Sequence, residues 1–145
     1  MTGIDSPRLS RILAIDSGTC FAAGLVMALG AAALAPLTNL PEALTRGAGL
    51  ALFPIAAMFA IMAVMKTAPR PLVLLAIFGN VAWVSASAAV LVSVPLTGIG
   101  FMFVAAQAAV VAILASLEWN AMSSSLQPIT GGAQDMVSPS RSTGA

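Results

Sequence analysis

Four apolar runs follow one another along the chain, at residues 12–35, 47–65, 72–94 and 99–117, separated by short polar connections. A spanning helix needs about 20 mostly apolar residues, because the hydrocarbon core of a bilayer is about 30 Å thick. Each run meets that length. A soluble bundle would carry a charged stripe on its outer faces, and none recurs here. Membrane-barrel strands would alternate apolar and polar residues, whereas stretches such as AAGLVMALGAAALA do not. The pattern predicts an all-α polytopic membrane protein, a four-transmembrane-helix antiparallel bundle over residues 12–119. The first run is of full spanning length and closes at Pro36, which argues against a cleaved signal peptide.

Local signals set the expected ends. Pro36 marks the end of the first helix. Pro41 and Glu42 suit the first turn of the second, where a missing N–H is harmless and an acid complements the helix dipole. Arg46 stands one turn beyond Glu42 on the same face. Pro54 falls inside that helix, frees the carbonyl of Leu50 and predicts a local kink. Pro71 starts the third helix, and Thr97 is placed to cap the fourth. The connection 95–98 is so short that helices 3 and 4 must be antiparallel neighbours. Residues 1–11 form a polar lead. Residues 120–145, rich in Ser, Gly, Pro and Gln, read as a disordered cytoplasmic tail.

Charge orients the bundle. Arg8 and Arg11 precede the first run, and Lys66 and Arg70 lie between the second and third. The other connections carry only Arg46, beside Glu42, so both termini are expected in the cytoplasm, in a bacterial inner membrane.

Composition then narrows the chemistry. Charged residues are 8% of the chain, the formal net charge is +1, and there is no histidine or tyrosine; mean hydropathy is +1.01. So small a net charge gives no reason to expect nucleic acid. Without histidine, axial haem ligation by imidazole is excluded. Cys20 is the only cysteine, so an internal disulfide and a CxxC redox pair are excluded. Two widely separated acids form no metal cluster, and no nucleophile stands near a base in sequence, so no cofactor, no metal and no enzymatic activity are expected.

In lipid, close packing depends on small residues spaced four apart. Cys20, Gly24, Ala28 and Ala32 form such a face on helix 1. Ala108, Ala112 and Ser116 form another on helix 4, flanked by Ala105 and Ala109, with Phe101, Phe103 and Leu114 on other faces.

The remaining polar residues are the candidate site. Asp16 lies about 6 Å past the membrane entry at 1.5 Å per residue. Three readings stand for it: an ordinary acid at the wet cytoplasmic rim, a partner of Arg11, Lys66 or Arg70, or a carrier of a proton or cation. Glu118, with the interfacial Trp119, closes helix 4 at the same surface, where Lys66 or Arg70 would relieve its clash with the helix dipole. Asn80 lies about 12 Å from the same entry, level with Thr19 or Cys20. It shares a face with Ser87 and Leu91 and is expected to bond helix 1 or the freed carbonyl of Leu50. Gln107 is level with Ser85 and Ser87 and is expected to bond one of them across the hairpin.

An acid that opens the first helix, Asp16, and an Asn-x-x-Trp element in the third, Asn80-Val81-Ala82-Trp83, give the chain its one likeness. Over roughly residues 8–119 it resembles small four-span integral membrane proteins of bacteria, a resemblance that implies the bundle and no activity. The expected role is non-enzymatic: an accessory or scaffold subunit that packs on other membrane-protein subunits, or on a second copy, among membrane lipids. The alternative is a small oligomeric transporter or permeation protein using Asp16 and Asn80.

Overall fold

A computed structural model describes residues 3–4, 7–65 and 68–125. The elements in order are β1 (Gly3–Ile4), α1 (Pro7–Thr38), α2 (Glu42–Val64), β2 (Ala68–Pro69), α3 (Arg70–Ser93) and α4 (Gly98–Ser125). All four helices are long and apolar enough to cross a membrane. The expected all-α four-helix architecture is therefore present. Leu29, Val64 and Val92 are at least 80% exposed, as apolar side chains are on a surface that faces lipid rather than water.

Most helix boundaries follow their local chemistry. Pro41 and Pro69 precede α2 and α3, and Pro71 lies in the first turn of α3. Thr97 caps α4, accepting from the Gly100 amide at 3.0 Å. Three boundaries move outward, the first being the start of α1, at Pro7 rather than at residue 12. Pro36 does not end α1 but sits in its last turn, where few backbone bonds remain to be lost. The helix closes instead at Asn39, the one non-glycine residue at positive φ (57°) among those described, a conformation that asparagine tolerates better than most residues. Helix α4 runs past Trp119 to Ser125; the rest of the expected disordered tail, 126–145, lies outside the described residues, as does Lys66.

Helix α1 is the hub. It packs closely on α2 and also on α4, while α4 packs on α3; α2 and α3 make little contact with one another. The α1–α2 approach rests on glycine: a Cβ on Gly49 would fall 2.5 Å from the Ala28 nitrogen, and one on Gly24 would fall 3.1 Å from the Gly49 carbonyl oxygen. Cys20, Gly24 and Ala28 are buried as expected, but Ala32 is exposed and Ala31 takes its place. A straight helix advances slightly more than one turn in four residues, so a strict four-residue stripe drifts off the contact. On α4 the buried residues are Gly100, Val104, Leu114, Ala115, Glu118, Ala121 and Met122. Leu114 is thus core rather than lipid-facing, while Ala109 and Ser116 are exposed.

The two ends of the bundle differ. At one, the α1–α2 and α3–α4 connections are clasped together. Thr97 donates its backbone N–H to the Thr38 carbonyl at 3.2 Å and its hydroxyl to the Leu37 carbonyl at 2.5 Å. Asn39 Nδ2 donates to the Pro95 carbonyl at 2.6 Å. At the other end stand Arg8, Arg11 and Arg70, all exposed. There β1 and β2 pair antiparallel, Gly3 opposite Pro69 and Ile4 opposite Ala68, tying the start of the chain to the α2–α3 connection. Leu9, Leu13, Phe59, Met62 and Val73 form the core beneath them.

Candidate functional site: a buried carboxyl pair beside an apolar cavity

The site is set by depth along the helices. Asp16 lies in the third turn of α1 and Asn80 in the third turn of α3. Glu118 lies about two turns before the end of α4. Counted from the helix ends at 1.5 Å per residue, the three are about 10–15 Å inside the arginine-bearing end of the bundle. The chain crosses the bundle in alternating directions, so these levels coincide, and each side chain points inward.

Asp16 and Glu118 are both 0% exposed and Asn80 is 5% exposed. Asn80 Nδ2 donates to Asp16 Oδ2 at 2.8 Å and to Glu118 Oε2 at 3.2 Å. One amide nitrogen, with two hydrogens, thus holds carboxyls from two other helices. On the α1 side, the Cys20 thiol and the Thr19 hydroxyl each lie 3.5 Å from Asp16 Oδ1. The Thr19 hydroxyl makes its shorter bond, 2.9 Å, to the Asp16 carbonyl. Glu118 Oε1 is buried without a hydrogen-bond partner.

Several expectations change. Asp16 is neither at a wet rim nor paired with Arg11 or Arg70: among the described residues the only ion pair is Arg46–Glu42, at the opposite end. Glu118 is not an interfacial residue relieved by Arg70 but an interior one, although its neighbour Trp119 is exposed. Counting depth from the apolar runs placed both acids too near the surface, because α1 begins before its run and α4 continues beyond its own. The two acids, far apart in sequence, meet on one amide. Asn80 does bond helix 1, as expected, through Asp16 rather than through the Leu50 carbonyl.

Gln107 also departs from expectation. Ser85 and Ser87 donate to carbonyls of their own helix, those of Val81 and Trp83 at 2.9 Å. A serine hydroxyl in a helix in lipid finds its nearest acceptor one turn back. Gln107 Nε2 instead lies 3.5 Å from Met27 Sδ of α1, a weak acceptor.

Next to the carboxyl pair is a cavity of about 620 Å³ to which all four helices contribute. It occupies the gap that α2 and α3 leave between them. Its walls are mainly apolar, including Leu52, Ile55, Met58 and Phe59 of α2 and Val110 and Val111 of α4. Thr19, Cys20, Asn80 and Gln107 supply the polar lining, and Trp83 forms part of the α3 wall. Asn80 is common to both features: it lines the cavity, and its Nδ2 holds the acids. Asp16 and Glu118 stand behind it. Among the described residues no group of three or more His, Cys, Asp or Glu is arranged to hold a metal ion. What the arrangement offers chemically is an apolar chamber of ligand size whose polar end leads to buried carboxyls. Comparison with protein-family models, with curated proteins and with solved structures returned no match.

Proposed function

We infer that this chain is a small multi-pass membrane protein that binds, and carries across the membrane, a small lipophilic solute held in the cavity between α2 and α3. The observation that carries this reading is the cavity itself: about 620 Å³, within the range of small-molecule pockets, apolar with a few convergent polar groups. A polar staple that only joined three helices would not need a chamber of ligand size beside it. Asn80 and Gln107 orient the solute, and Asp16, one hydrogen bond behind Asn80, couples its entry to the charge state of the interior. The exposed Arg8, Arg11 and Arg70 at one end, against Arg46 neutralised by Glu42 at the other, support an orientation with both termini in the cytoplasm. A bacterial inner membrane is the setting this proposal assumes.

Trp83 tests it. In a Trp119→Phe background Trp83 is the one remaining tryptophan, and it lines the cavity. Titrating the protein in lipid nanodiscs with apolar ligands bearing one hydrogen-bonding group should give saturable quenching of its emission. A Leu52→Phe or Ala106→Phe change, which fills the chamber without adding a tryptophan, should abolish the saturation. Quenching that stays linear with ligand in the membrane, and is the same in the filled variants, sinks the proposal.

A second reading, the accessory subunit, is favoured by one observation. Ala82, Ala86, Ala89 and Ser93 recur on the outer face of α3, and all are exposed, which leaves a smooth strip for another helix. Isolation in mild detergent with mass analysis of co-purifying proteins tests it. A lone homogeneous oligomer would count against it.

A further inference from the structure

We propose that Asp16 and Glu118 form a binding site for one monovalent cation, a proton or a sodium ion, held between the two carboxyls opposite the Asn80 amide. The inference goes beyond the cavity reading and stands whether or not the chamber takes a solute.

Two carboxyls present four oxygens, and the donors around them are few. Asn80 Nδ2 uses both its hydrogens, one on Asp16 Oδ2 and one on Glu118 Oε2. Asp16 Oδ1 has only the long contacts from Cys20 and Thr19 at 3.5 Å. Glu118 Oε1, fully buried, has nothing. An anionic oxygen left bare in a site closed to water is the costly kind of unsatisfied group, and it is the independent sign that an occupant belongs there.

Charge gives the same answer. The elements around the pair bring no described counter-charge. On α1, Arg8 and Arg11 are exposed at the end of the bundle, and Cys20 is the only other titratable group. On α3, Arg70 is exposed and stands about 15 Å along the helix axis from Asn80. Helix α2 faces the pair's end of the bundle with Phe59 and Met62 and carries Glu42 and Arg46 at the opposite end. Apart from Glu118, α4 has no ionisable side chain. Two ionised carboxylates this close in an apolar interior repel strongly, and buried charges persist only when paired or neutralised. One cation answers the need and two would exceed it. With two occupants the carboxyls would be neutral, and the pair of acceptors that Asn80 holds would be wasted. With one, a negative charge remains shared between the acids and matches the amide's two N–H groups. A proton would sit on one acid and point to the other. A sodium ion would draw on oxygens of both acids.

Carbodiimide labelling tests the site, because dicyclohexylcarbodiimide is apolar and reacts with a protonated carboxyl. The acid's O–H adds across one C=N bond to give an O-acylisourea, which rearranges to a stable N-acylurea. The purified full chain in nanodiscs is labelled across a pH series in choline chloride or sodium chloride and analysed by peptide mass spectrometry. The expected result is an adduct on one member of the pair, Glu118 or Asp16, and not on both, that declines as pH rises and is absent in Glu118→Gln for the Glu118 peptide. Protection by sodium but not by choline identifies sodium as a competing occupant; equal labelling in both salts identifies the proton alone. Infrared difference spectra provide the second measurement, reading the carbonyl band of a protonated carboxylic acid without needing the reagent to enter. No adduct at any pH, no acid band in either Asp16→Asn-sensitive or Glu118→Gln-sensitive form, and no effect of sodium would overturn the proposal. Adducts on both Asp16 and Glu118 of one chain would overturn the single-cation stoichiometry. Solute quenching of Trp83 is scored separately, so failure of the cavity reading leaves this result readable.

Discussion

Replacing Gly49 with alanine should loosen the contact on which the bundle depends most. The added methyl would stand 2.5 Å from the backbone nitrogen of Ala28, 2.8 Å from Met27 Cβ and 2.9 Å from the Met27 carbonyl carbon, where ordinary contact begins near 3.4 Å. Two of those three atoms are backbone and cannot rotate away, so α1 and α2 must part by roughly an ångström, the kind of displacement overpacking imposes at about 1–3 kcal/mol. Alanine is the better helix former by about 1 kcal/mol, which offsets part of the loss. The net expectation is destabilisation by up to about 2 kcal/mol, and by about 1–3 kcal/mol relative to a substitution that gains only the propensity term. Gly47 and Gly18 provide the control, because a methyl at either meets nothing within 4 Å. There only the propensity term acts, and Gly47→Ala should be neutral or stabilising by up to about 1 kcal/mol. The assay is reversible unfolding in mixed micelles, titrated with dodecyl sulfate and followed by far-ultraviolet circular dichroism. If Gly49→Ala unfolds at the same denaturant fraction as Gly47→Ala, the close approach of the two backbones is not what holds α1 to α2.

Other changes probe the site and the clasp. Asn80→Leu leaves both carboxyls without their shared donor and should cost about 2–4 kcal/mol in the same unfolding assay; Asn80→Asp, which sets a third acid against them, should be worse. Glu118→Gln keeps an acceptor for Asn80 and supplies an amide donor toward Asp16 in place of the cation, so it should unfold no earlier than the natural chain. Gly100→Ala drives a methyl into the Thr38 backbone; it should break the Thr97–Thr38 bond and speed hydrogen exchange at the Thr97 amide. Cys20, 6% exposed, should resist a membrane-impermeant maleimide in intact cells, while a Thr97→Cys variant labels from outside; labelling of Thr97→Cys only after lysis would reverse the proposed orientation.

The positions of the helices were legible in the chain because length and apolarity are what a bilayer demands. Helix starts were legible where one residue does the work, as Pro41, Pro71 and Thr97 do. The faces were not. In a soluble bundle the polar stripe marks the outside, but here the outside is as apolar as the core: Leu29 is exposed and Leu13 buried, with nothing in their type to tell them apart. The meeting of Asp16 with Glu118 was hidden for a different reason. Both levels were counted from the ends of the apolar runs, whereas α1 starts at Pro7 and α4 continues to Ser125. Helical structure persists beyond the hydrocarbon because backbone bonding does not depend on side-chain polarity. Helix α1's first turns and α4's last are amphipathic rather than apolar. Asn80 was expected one turn deeper, level with Thr19 or Cys20, whereas its amide meets Asp16.

The unequal lengths of the helices make the protein an asymmetric gauge of bilayer thickness. Helices α2 and α3 have 23 and 24 residues, about 35 Å, slightly more than a hydrocarbon core of about 30 Å. Helices α1 and α4 have 32 and 28, about 48 and 42 Å. At the arginine-bearing end α1, α3 and α4 stop at nearly one level, because Asp16, Asn80 and Glu118 meet there about 10–15 Å inside each helix end. The surplus of α1 and α4 over α3 therefore lies toward the clasped end, where residues 94–97 cover the remaining distance. A thicker membrane climbs that side, where α1 and α4 outrun α3, at a fraction of a kcal/mol per ångström. As it climbs, the clasp sinks toward the headgroups while the level of Asp16 and Glu118 stays where it is.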